Sequence, residues 1–135
     1  MTSFRMKRPL FSGLAALAVS VTTSSAWADP QDYQFQLVQT EVKVGDGAIV
    51  AVRLIDKKSG KAVPDAVIFA KRIDMAPDGM EMMASPIEQV SSTEPGVYRF
   101  KTKLSMEGGW RLSLGAKVQG ETGTVEDKLV LKAVP

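Results

Sequence analysis

Alternation with a period of two residues dominates the chain from Tyr33 onward, and it restricts the fold more than any other feature. Tyr33, Phe35 and Leu37 alternate with Gln34, Gln36 and Val38, and Ile49, Ala51 and Arg53 alternate with Val50, Val52 and Leu54. Successive side chains of an extended chain point to opposite faces, so this rhythm predicts half-buried strands. In the run from Ala66 to Ile73, Val67, Phe69 and Lys71 share one face and Ile68, Ala70 and Arg72 the other. Further runs cover Val97 to Leu104, Trp110 to Val118 and Thr124 to Ala133, the last with Val125, Leu129 and Leu131 as expected core residues. Turn signals separate the runs at Gly45-Asp46-Gly47, Asp56 to Lys61, Pro64-Asp65, Glu94-Pro95-Gly96, Gly108-Gly109 and Gly120 to Gly123. No stretch carries a helical period. The pattern predicts an all-β fold, an immunoglobulin-like antiparallel β-sandwich of about seven short strands. Tyr98, just after the Pro95-Gly96 turn, stands where a corner-closing tyrosine is expected.

The first 28 residues have a different character. A basic stretch (Arg5, Lys7, Arg8) is followed by an apolar run from Leu10 to Val21 and by Ala26-Trp27-Ala28. These zones predict a signal peptide, residues 1–28, cleaved before Asp29 and directing a periplasmic protein. The apolar run is shorter than the roughly 20 residues needed to span a bilayer, and no second one follows, so no membrane span is expected after cleavage. The expected mature chain, residues 29–135, is long enough for a single domain with one core.

Removal of the leader takes away three of the 17 basic residues and none of the 15 acidic ones, which leaves 14 against 15 and a net charge of −1. The isoelectric point near 8.9 is that of the precursor, and no basic surplus points to nucleic acid. The chain has no Cys and no His. That excludes Ser-His-Asp and Cys-His nucleophile systems, the usual zinc sites and an imidazole pH switch, and an enzyme is not expected.

Methionine is the unusual component. Beyond the leader stand Met75, Met80, Met82, Met83 and Met106, four of them within nine consecutive positions in the one interval, Met75 to Gln89, that does not alternate cleanly. Pro77-Asp78-Gly79 predicts a bend across which Met75 and Met80 can approach. On an extended segment Met80 and Met82 share a face and Met83 takes the other. Thioethers are soft neutral donors suited to Cu(I), and Trp110, close in sequence to Met106, would offer an aromatic lid. Two other readings fit the same residues: methionine as filler of irregular core gaps, and a soft adaptable surface for a protein partner. Glu121, Glu126 and Asp127 lack the spacing of a calcium loop and read as solvated strand ends, as does the Lys57-Lys58-Lys61 turn.

Three segments, "SGKAVPDA" (Ser59 to Ala66), "MAPDGMEMM" (Met75 to Met83) and "PGVYRFKTKLSMEGGWRLSL" (Pro95 to Leu114), resemble the FixH/YtkA-like family of exported bacterial β-sandwich domains. The resemblance runs from about Gly47 to Lys132, and its most specific part is Pro-Gly-x-Tyr followed one strand later by a Met-x-Gly-x-Trp element. Here that element is Met106-Glu107-Gly108-Gly109-Trp110, one residue longer than the compact form. The resemblance implies a role around copper, in efflux or in assembly of copper-containing oxidases. It maps Met80, Met82 and Met83 onto the family's Met-rich loop. The expectation is a periplasmic Cu(I) carrier or copper-tolerance accessory, able to take Ag(I), with Met75, Met80, Met82, Met83, Met106 and Trp110 as metal-site residues and a periplasmic protein as partner. Its alternative is a metal-free interaction module that uses the Met-rich loop as contact surface.

Overall fold

In the computed structural model residues 32–135 are described; the expected leader lies outside them. Among these residues the alternating runs become nine strands: β1 (Tyr33–Leu37), β2 (Glu41–Lys43), β3 (Gly45–Asp56), β4 (Val67–Met75), β5 (Met80–Ser85), β6 (Ile87–Val90), β7 (Val97–Leu104), β8 (Gly108–Lys117) and β9 (Thr124–Val134). They form a four-stranded sheet of order β1-β3-β7-β6 and a five-stranded sheet of order β2-β9-β8-β4-β5. All pairs are antiparallel except the short β2, which runs parallel to β9. This is the immunoglobulin order, with the first strand divided between the two sheets and an extra strand, β5, beside β4.

The inward positions are those of the period-two reading. Val50, Val52 and Leu54 of β3 and Phe35 and Phe100 of its neighbours meet Ile73, Trp110, Leu112, Leu114 and Leu131 of the facing sheet, all buried in one core cluster. Val125 joins them, while Leu129 is only partly buried. Burial of these apolar faces, at about 25 cal/mol per Å², is the main term holding a chain without disulfides together.

Three expectations need correction and one, Tyr98, holds. The Met75 to Gln89 interval is not a loop but β5 and β6, joined at Pro86, where the chain leaves one sheet for the other. Pro cannot donate to a ladder, so a sheet change is a fitting place for it, and its carbonyl accepts the buried Thr102 hydroxyl at 2.7 Å. Gly45-Asp46-Gly47 does not reverse the chain; it opens β3 with a register shift against β7, since glycine permits the bulge. Tyr98 is structural, as expected: its hydroxyl donates to the Val63 carbonyl (2.7 Å) and accepts from the Ala66 amide (3.0 Å), tying β7 to the β3–β4 connection. Asp127 and Glu121 are not simply solvated: Asp127 accepts the Phe35 amide at 2.9 Å and Glu121 accepts the Tyr33 hydroxyl at 3.1 Å, closing β1 against the other sheet's side of the sandwich.

Candidate metal-binding edge

Strand β4 ends in three buried residues, Ile73, Asp74 and Met75. Ile73 faces the core beside its ladder partner Leu112, and Met75 lies in the same cluster with no exposed surface. The chain then turns through one 3₁₀ turn, Ala76–Asp78, ended by Gly79 in the left-handed region at φ 77°. Proline near the start of that turn and glycine after it impose the reversal that the Pro77-Asp78-Gly79 triplet predicts.

The return strand does not pair regularly. Asp74 pairs with Ala84 and the next β4 residue, Met75, pairs with Met80. Glu81, Met82 and Met83 therefore stand between two consecutive rungs and have no partner residue on β4. A strand carrying unmatched residues must bow away from its neighbour, and the exposures follow: Met82 94%, Met83 43% and Met80 37%, against 0% for Met75.

A cluster of charges anchors this bow. Asp74, fully buried, accepts the Ala76 amide (2.9 Å), the Arg72 Nε (2.9 Å) and Nη2 of its ladder partner Arg111 (3.2 Å). Arg72 also donates to the main-chain carbonyl of Glu81 at 2.9 Å, and Arg111 lies 3.8 Å from the Glu81 carboxylate. Burial pushes the Asp74 carboxyl up, but the Ala76 amide and the two guanidinium groups outweigh it and hold it below the usual carboxylate range. Two arginines from adjacent strands thus hold the centre of the bulge, and the four charges cancel.

The β7–β8 turn closes the same end of the sandwich. Gly109 donates to the Asp78 carboxylate at 3.1 Å, and a Cβ on Gly108 (φ 135°) would collide with that carboxylate and crowd the Met75 methyl group. These contacts explain the paired glycines. Trp110 follows, buried, with its indole N–H donating to the Met106 carbonyl at 3.1 Å, while the Met106 side chain is 41% exposed.

The six expected site residues thus fall into two groups. Met75 and Trp110 belong to the core: both are buried in the central cluster, so Trp110 is no surface lid, and Met75 is the ladder partner of Met80. Met80, Met82, Met83 and Met106 are surface residues at one end of the sandwich. Sequence reading missed Asp74, Arg72, Arg111 and Glu81. The Arg72/Asp74 spacing on one strand face was a visible signal, whereas Arg111 meets them only through the sheet. Among the described residues no group of three or more His, Cys, Asp or Glu side chains converges as a metal site would. A shallow groove on the outer face, between Ala70, Arg72, Ser113, Gly115, Glu126 and Lys128, holds none of the soft donors.

The fold and its thioether-bearing edge define an immunoglobulin-like sandwich with a modified edge strand. A family model described as YtkA-like matches residues 28–115, and the chain belongs to the YtkA-like family. The match begins earlier than the resemblance read from the sequence and stops within β8, at residue 115, leaving β9 outside it. No curated protein matches the chain. Among solved structures, one titled "ZirS C-terminal Domain" is similar over 90% of this chain and 86% of its own, at 12% identity and a TM-score of 0.47.

Proposed function

We propose that this chain is an exported copper-handling domain that binds Cu(I), and Ag(I) by the same softness, through the thioethers of Met80, Met82 and Met83, with Met106 on the neighbouring turn as a further donor. The observation that carries the reading is the bulge: three methionines within four residues reach solvent, Met82 and Met83 on the segment that β4 does not pair and Met80 at the rung that opens it. Core filling accounts for Met75 and cannot account for side chains this exposed. Thioethers need no deprotonation, so a soft monovalent cation can be taken and released without moving a proton, which suits transfer to a partner. The local field does not repel a cation, because Asp74 and Glu81 offset Arg72 and Arg111.

Export rests on the leader and on a family match that starts at residue 28, the last residue of the expected leader. The partner is a periplasmic copper-system protein, and the chain itself performs no catalysis. The second reading, a metal-free contact surface, draws on the same exposed apolar side chains.

Titration with Cu(I) against a competing chelator separates the two. The wild-type protein is expected to take up copper, and a Met80→Leu/Met82→Leu variant, which keeps the apolar volume, is expected to lose most of that uptake. Equal uptake by both proteins, or none by the wild type, would sink the metal reading.

A further inference from the structure

The bulge also sorts the sulfur of this protein by its access to oxidants. We infer that the exposed methionines, led by Met82, form a reversible oxidation site that the fold accepts without unfolding. With no Cys in the chain, thioethers are its only sulfur. Of the five methionines among the described residues, four reach solvent and one, Met75, is sealed.

Placement decides what oxidation costs. A sulfoxide turns an apolar side chain into a polar one. At Met75 the new oxygen would sit without a partner among Trp110, Ile73 and their neighbours. At Met82 it would be hydrated at once. The bulge around it is held by contacts that do not involve a methionine side chain: the Arg72 donation to the Glu81 carbonyl and the Arg111–Glu81 pair. Oxidised methionines can therefore stay in place while the edge keeps its shape.

With hypochlorous acid the step balances simply. An S–O bond forms and the Cl–O bond breaks, sulfur loses two electrons, chlorine leaves as chloride, and the proton goes to water. Return uses a methionine sulfoxide reductase and a dithiol: the oxygen leaves as water, sulfur regains two electrons, and the dithiol becomes a disulfide. The proposal stands apart from the copper reading, since it needs only access and a tolerant fold.

Hypochlorous acid added below stoichiometry to the purified protein, followed by mass mapping of each methionine, tests it. Met82 is expected to oxidise at least about tenfold faster than Met75 in the folded protein, and urea is expected to erase the difference. The melting temperature and near-ultraviolet dichroism should hold when the exposed methionines are oxidised. Reductases for both sulfoxide epimers, supplied with dithiothreitol, should restore the original mass. Equal rates at Met75 and Met82 in the folded protein, loss of near-ultraviolet signal with the first sulfoxides, or a Met82 sulfoxide that resists both reductases overturns the inference. Cu(I) uptake before and after oxidation is read separately. A domain that oxidises reversibly but never binds copper retains the oxidation site and loses the function proposed above.

Discussion

Met75 and Met82 are seven residues apart and carry the same side chain, yet one is sealed in the core and the other almost entirely in solvent. The difference lies in pairing. Met75 closes β4 at a rung with Met80, two residues beyond Ile73 and on the same inward face of the pleat. Met82 sits where β5 has three residues and β4 none to match them. The pair teaches that residue type sets what a side chain is able to do, while register decides whether it packs or meets solvent.

The comparison breaks most severely if the inward member is not structural. Trp110→Ala, on the inward side with Met75, is expected to lower the free energy of unfolding by about 3–5 kcal/mol in a urea titration, because the cavity it leaves lies in the centre of the sandwich. A loss under about 1 kcal/mol would show that this end of the core is loosely packed after all.

The charge cluster between the two regions comes next. Asp74→Asn should cost about 2 kcal/mol, since it leaves two guanidinium groups without their buried counter-charge. The sign of the pH effect follows from the lowered carboxyl. Its stabilisation is complete well above the ordinary value near 4 and is lost as pH falls toward the depressed folded value. The wild type should therefore lose this stability at acid pH, below about 4, and the variant should show a flatter acid branch. Parallel acid branches for the two proteins would mean that the cluster is not what holds β4 to the bulge.

The smallest effect is expected at the outward member. Met82→Leu should change unfolding free energy by less than about 0.5 kcal/mol, as an exposed position permits. A larger loss would place Met82 in a packed environment and remove the contrast with Met75.

Much of the sandwich was legible because strand alternation and turn chemistry are local. The inward sets Val50, Val52, Leu54 and Trp110, Leu112, Leu114 follow from a period of two read along single runs. The methionine segment was legible as composition, and the bend at Pro77-Asp78-Gly79 as turn chemistry. Its character as a strand was hidden, because a bulge breaks alternation and β5 carries no buried row to mark a period of two. β2 and β6 escaped notice because runs of three and four residues carry too little periodicity to register.

The sequence by itself determined that the chain is all-β, that its sulfur is present only as thioether, and that methionines crowd around one reversal. Only the tertiary structure decided which of them face water. Exposure depends on the partner strand opposite each rung, and Arg111, 30 residues beyond Glu81, reaches the bulge only once β8 lies beside β4. Such pairings are non-local, and one-dimensional periodicity does not contain them.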